Sequence, residues 1–287
     1  SDAVLAGALG CDILDPNYCL YPFPSDHFTA PDVFSDTGKR IRFNPLAMPR
    51  NSAGKPIDPS EWNRNDGFSP GQMIQARVPG PDLHVTDRYG ARVAMLDRLA
   101  NNEVDNFNSA IMVFEVDPDS GALTRHPVFA ELDANRTAFV PCNLGDGAGE
   151  VFGLIDADPA RDGAEGFSEE CRANGGEAVP GTDPNADPGP ALFIRPAKNF
   201  RDGRRYIVAL RRLMDSDAQL IEANPQFRVF RDELGSNLPA VYSRRPQMED
   251  ILSRLSAAGV PRDDLYLAWD FTVASTRNLA GRLLHMR

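Results

Sequence analysis

Leu265-Tyr266-Leu267-Ala268-Trp269-Asp270-Phe271-Thr272-Val273 reads as a β-strand. Leu265, Leu267, Trp269, Phe271 and Val273 alternate onto one side, and aromatic and β-branched residues suit a pleated, half-buried surface. Ser109-Ala110-Ile111-Met112-Val113-Phe114-Glu115-Val116 is a second strong strand, and Asp117-Pro118-Asp119-Ser120-Gly121 behind it is turn chemistry. Proline presets φ, the Asp and Ser side chains cap backbone amides, and glycine accepts a positive φ. Residues 123–129 are expected to return as the hairpin partner. Residues 191–194 and 206–210 read as a two-strand unit joined by the turn-rich stretch 195–203. Short strands are expected over 40–43 and 73–78, the latter stopped by Pro79-Gly80-Pro81.

Helices are the minority in this reading. One starts near Pro246, with Met248, Ile251, Leu252 and Leu255 forming an apolar stripe and Gly259 placed to end it. Another runs from a cap at Ser275 or Thr276, with Leu279, Leu283 and Met286 on one face. It carries no terminating Gly or Pro, so residues 275–287 are expected to lead into a following domain.

The 287 residues include 23 glycines and 24 prolines, clustered between short apolar runs as many tight turns require. Hydrophobic residues make up 42% and charged residues 25%, the usage of an ordinary globular chain. A formal net charge of -11, with no basic stripe carrying interleaved aromatics, argues against nucleic acid and anionic membranes as partners. No apolar stretch approaches the ~20 residues that span a bilayer. The opening residues 1–10 are small and apolar without a basic region, and are expected to be a mature N-terminus left by processing.

Cys11, Cys19, Cys142 and Cys171 are an even set that allows three pairings. Cys11–Cys19 and Cys142–Cys171 are favoured, because each closes a local loop rich in Pro, Gly, Asn and Asp where little else holds the backbone. Zinc and reduced buried thiols are the alternatives, the former lacking any CxxC spacing. Oxidised cysteines imply a periplasmic, cell-surface or extracellular address. The resulting division is an N-terminal strap over 1–45, a β-sandwich over 46–274, and inside it a Gly-, Asp- and Pro-rich insertion over 143–190 tethered by Cys142 and Cys171.

Gly67-Phe68-Ser69-Pro70-Gly71 matches G-x-S-x-G, in which a strained serine projects its oxygen between a strand and a helix. The setting is wrong on both sides. Residues 62–66 are polar and turn-like, and Pro70 removes the amide that would feed an oxyanion hole. His84, His126 and His285 follow Ser69, none in a distinctive setting for a catalytic base. Ser69 is therefore the sole catalytic candidate, and the expectation is that it is not one. Asp156, Asp158 and Asp162 before Gly163 approximate a calcium loop, with Asp183 and Asp187 as further oxygen donors. The spacing fails at the third ligand and Arg161 intrudes, so calcium is the one cofactor considered and none is required.

Several segments together resemble the N-terminal region of large secreted bacterial lipase-like proteins. They are residues 20–29 (Leu-Tyr-Pro-Phe-Pro-Ser-Asp-His-Phe-Thr), residues 65–70 (Asn-Asp-Gly-Phe-Ser-Pro), residues 191–197 with 203–210, and residues 267–275. Residues 191–215 also resemble a bacterial immunoglobulin-like repeat. The resemblance implies a secreted accessory domain that precedes an α/β-hydrolase domain and supplies no catalytic residue itself. The expected fold is mainly β: an immunoglobulin-like sandwich with one or two helices and a long disulfide-tethered loop. Two rival readings are a self-contained ester hydrolase using Ser69 and a self-assembling subunit of an extracellular filament.

Overall fold

The computed structural model describes residues 11–15, 20–49, 51, 55–95, 108–133, 137–143, 150–156, 177–178 and 191–286. Apolar residues of the central strands build one antiparallel sheet at the core, in the order β12 (Leu265–Thr272), β11 (Arg205–Arg211), β4 (Ile111–Val116), β5 (Leu123–His126). All eight residues of β12 are buried. The alternation read from its sequence therefore does not divide a dry face from a wet one: Tyr266, Ala268, Asp270 and Thr272 are buried as deeply as their neighbours. Trp269, Tyr206 and Phe271 are fully enclosed, and burying a side chain of this size contributes roughly 1.5–3 kcal/mol.

The β4–β5 hairpin forms as its turn chemistry dictates. Asp117 Oδ1 accepts from the Ser120 amide at 2.8 Å, and Gly121 takes a φ of +72°. The returning strand stops at His126, however. After Pro127, which has no N–H to give a ladder, β6 (Val128–Leu132) leaves for a three-stranded sheet of order β3 (Ile74–Arg77), β10 (Ala191–Pro196), β6. That placement corrects the two-strand unit expected from residues 191–210. β10 and β11 lie in different sheets, and residues 197–204 carry the chain between them. A small hairpin of β1 (Thr29–Pro31) and β2 (Lys39–Ile41) completes this part of the molecule.

Residues Leu132–Ala191 form a second compact unit. Its described part is a three-stranded antiparallel sheet with β7 (Thr137–Asn143) between β8 (Glu150–Asp156) and β9 (Glu177–Ala178). The stretch expected as a loop insertion over 143–190 thus contains strand β8, paired with β7 over seven residues.

The molecule is mainly β, with four α-helices among the described residues where one or two were expected. α1 (Leu83–Tyr89) is capped by Asp82, which accepts from the Val85 amide at 2.9 Å. α2 (Pro225–Arg231) is capped by Asn224 onto Phe227 at 2.6 Å, with a proline opening its first turn. α3 (Pro239–Ala257) begins well before Pro246, which lies inside it. Its end follows the expectation: Gly259 at φ +82° lets the Val260 amide reach the Leu255 carbonyl at 2.9 Å and the Gly259 amide reach Ser256 at 3.0 Å. In α4 (Thr276–His285) the capping oxygen is that of Ser275, which accepts from the Asn278 amide at 3.1 Å. Among the described residues no helix is long and apolar enough to cross a membrane.

The N-terminal segment is sewn onto this core. The Trp269 indole donates to the Pro24 carbonyl at 2.8 Å, and Asn224 donates to the Leu14 carbonyl at 2.7 Å. Phe23 and Gln75 exchange backbone hydrogen bonds at 2.8 and 2.6 Å, and Phe23, Phe28, Phe43 and Phe68 pack as one aromatic cluster. The strap aromatics plug the core.

Candidate functional site

The glycine-flanked serine resolves into a packed turn. A Cβ on Gly67 would stand 2.5 Å from the Ala274 nitrogen, so only glycine admits the approach of the two backbones. Phe68 then bridges the chain following β12: its amide donates to the Thr272 carbonyl at 2.9 Å, and its carbonyl accepts from the Ala274 amide at 2.9 Å. Ser69 is exposed, and its hydroxyl oxygen accepts from the Gly71 amide at 3.4 Å. Gln72 donates to the Ser69 carbonyl at 3.1 Å and Phe200 to the Pro70 carbonyl at 2.8 Å, so the loop is tied through its backbone on both sides of the hydroxyl.

The three downstream histidines are dispersed. His84 is exposed on α1 and His285 is exposed on α4. His126 is buried, with its ring 4.6 Å from that of Phe200 and 5.4 Å from that of Tyr206, and Nε2 lies 3.0 Å from the Lys198 carbonyl. Burial lowers its pKa, opposed by that carbonyl contact. Among the described residues no imidazole is hydrogen-bonded to Ser69.

Ionisable groups do gather elsewhere, in three buried carboxylate knots. Asp12 accepts from the Leu14 amide at 2.9 Å, from the Ser25 hydroxyl at 3.2 Å and from Arg244. Burial pushes this carboxyl up, but Arg244, His27 and the hydrogen bonds together hold it below the ordinary value. Asp26 accepts from the Thr272 amide and hydroxyl and from Lys39. Asp66 accepts from the Ser275 amide at 3.0 Å and hydroxyl at 2.6 Å. Asp270 lies near the second knot, held by Arg205 at 2.7 Å and Gln247 at 2.6 Å. Its carboxyl is raised by burial and by the neighbouring Asp26, against the pull of Arg205.

Each carboxylate in these knots has its oxygens committed to donors of the fold, which makes them fasteners between distant segments rather than reacting groups. Reading residue by residue does not reveal them, because the partners stand 232, 246 and 209 positions apart. Ser25-Asp26 and Asn65-Asp66 lie within the segments quoted for the resemblance, so the signal was present without its meaning.

Of the calcium candidates, the backbone of Asp156 closes β8 opposite Thr137, while Asp158 and Asp162 lie outside the described residues. Among the described residues no group of three or more His, Cys, Asp or Glu side chains is placed to hold a metal ion. Cys11 is buried and disulfide-bonded. Cys19, Cys171 and the side chain of Cys142 fall outside the described residues, and the expected pairings with them.

Two of the open grooves bear on these features. One of about 650 Å³ runs between the β1–β2 hairpin and the start of α4, lined by Phe34, Arg40, Arg64, Arg277 and Leu279. Its arginines are paired with Asp32, Glu61 and Asp36 respectively. The other, of about 510 Å³, is lined by Tyr89, Arg212, Met214, Leu220, Asp264 and Tyr266. No family model matches the chain, and no curated protein or solved structure matches it either.

Proposed function

We propose that the chain is a non-catalytic accessory domain of a secreted, hydrolase-bearing protein, supporting folding, substrate access or surface attachment of a lipase- or esterase-like domain that follows it. The observation that carries this reading is the fate of the elbow-like motif. Gly67 serves a backbone contact with Ala274, Phe68 serves as a bridge to Val273, and the Ser69 hydroxyl is turned to the Gly71 amide. Those three roles explain the glycine-serine spacing without a reaction, and Pro70 removes the amide that an acyl-transfer site needs next to its nucleophile. An immunoglobulin-like sandwich, the pairings Cys11–Cys19 and Cys142–Cys171, and export to an oxidising compartment belong to the same proposal. The buried, bonded Cys11 favours that address.

Two measurements test it. Treating the purified chain with a fluorophosphonate probe should leave Ser69 unmodified under conditions that fully label a serine esterase; stoichiometric labelling of Ser69 would replace this reading with the self-contained hydrolase. The coding sequence beyond Arg287 should encode a strand-turn-helix nucleophile elbow, and a continuation with none counts against the accessory role.

A further inference from the structure

We propose that the groove between the C-terminal end of α1, the loop after β11 and the start of β12 is a binding site for a neutral carbohydrate. The site is held by backbone bonds and by the buried Thr86 hydroxyl. The Met214 amide donates to the Thr86 hydroxyl at 2.9 Å, the Asp82 amide donates to the Met214 carbonyl at 2.8 Å, and the Ile221 amide donates to Leu213 at 2.9 Å. Arg212 sits at φ +48°, an uncommon conformation for a residue with a side chain, and its carbonyl lies so near Gly90 that a Cβ there would stand 2.7 Å away. The guanidinium of Arg212 is fixed by Asp264 at 2.6 Å. A concave, preformed site of about 510 Å³ falls within the size range of small-ligand pockets.

Its chemistry selects the ligand. Tyr266 is only 3% exposed and lines the groove, yet among the described residues its hydroxyl takes part in no hydrogen bond. An apolar ligand laid over it leaves that hydroxyl unpaired, which costs about 1–3 kcal/mol. Anions are disfavoured as well. Arg212 and the buried Arg211 share Asp264, at 2.6 and 3.6 Å, Arg231 is paired with Asp232, and Glu222 and Asp263 add further negative charge to the lining. What remains is a neutral molecule with both donors and acceptors and one apolar face. At the rim, Tyr89 is 59% and Leu220 55% exposed, and an aromatic ring offers its face to the C–H groups of a pyranose. Glu222 and Asp263, carboxylates of the lining, are acceptors for the hydroxyls of a sugar.

This inference stands apart from the accessory-domain reading and survives its failure. Cellotetraose, maltotetraose, xylotetraose and chitotetraose titrated calorimetrically into the purified chain provide the test. At least one should bind, and Tyr89→Ala and Tyr266→Phe should each weaken that binding roughly tenfold or more. Tyr266→Phe should keep the unfolding temperature of the parent, since among the described residues the hydroxyl takes part in no hydrogen bond. Silence from all four sugars at millimolar concentration overturns the proposal, and so does binding that both variants leave unchanged.

Discussion

Asp26 and Thr272, 246 residues apart, are joined by two hydrogen bonds: the Thr272 amide donates to Oδ1 at 2.9 Å and its hydroxyl donates to Oδ2 at 2.7 Å. β12 pairs with β11 along one edge, and on the other the carboxylate of Asp26, together with the Phe68 amide, occupies the place of a neighbouring strand. A strand edge left open is a template for unwanted pairing, so a side chain that satisfies it also blocks it.

Replacing Asp26 by alanine leaves the Thr272 amide and hydroxyl and the Lys39 ammonium without their acceptor. The expected loss is about 1–3 kcal/mol, the cost of leaving the buried Thr272 donors unsatisfied, since the Lys39 side chain, 31% exposed, can turn to water. Urea unfolding of Asp26→Ala checks it, with Asp26→Asn expected to lose less because it keeps one acceptor oxygen. A loss below about 1 kcal/mol for the alanine variant contradicts the fastening role.

The two glycines around Ser69 should behave differently. Gly67→Ala forces a Cβ onto the Ala274 backbone and is expected to cost about 1–3 kcal/mol or more, as overpacking does. Gly71→Ala meets nothing closer than the Asn199 Oδ1 at 3.8 Å and should change stability by no more than about 0.5 kcal/mol. Equal sensitivity at both positions points to a role for the loop other than packing.

Stability should fall as pH drops below 6.5, the ordinary histidine value. Burial lowers the pKa of His126 in the folded protein, so above that pH both states are neutral and nothing is gained or lost. Below it the unfolded chain takes up a proton that the folded chain resists, and the balance shifts towards unfolding. His27, lowered by burial and partly restored by Asp12, acts in the same direction. Denaturant midpoints at about pH 7.5 and about pH 5.5 should draw closer in His126→Phe than in the parent.

Asp270 has the opposite sign. Its folded pKa is raised above 3.8 by burial and by Asp26, so its contribution favours folding at low pH and is lost as pH rises through the folded value. Asp270→Asn removes the charge that burial penalises while Arg205 keeps Asp250 at 2.6 Å. At neutral pH this variant should be as stable as the parent or more so. A marked loss in thermal unfolding would show that the Arg205 pair outweighs the burial cost.

Local chemistry carried the sequence reading a long way. The turn at Asp117 to Gly121, the end of α3 at Gly259 and the strand at Leu265 each depend on neighbours within a few positions, and each forms. Where the deciding partner is remote, local sequence does not fix the structure. Nothing near Ala191 says that its strand lies between β3 and β6 instead of beside β11, whereas Asn224 and Pro225 do carry the local cap and first-turn chemistry of α2. Pro246 looked like a helix start because proline is favoured there, yet α3 already had one at Pro239 and accommodates the second.

The amino-acid order by itself determined that this chain is rich in strands, that its turns fall where Asp, Pro and Gly cluster, and that the Ser69 motif lacks the amide a nucleophile elbow requires. Only the folded chain decided which strands share a sheet, that Asp12, Asp26 and Asp66 clamp the N-terminal third to residues 244, 272 and 275, and that Tyr266 lines a groove. The physical reason is range: turns and caps are set by bonds a few residues long. Sheet order and buried ion pairs are set by which distant surfaces exclude water together, a property no short segment carries.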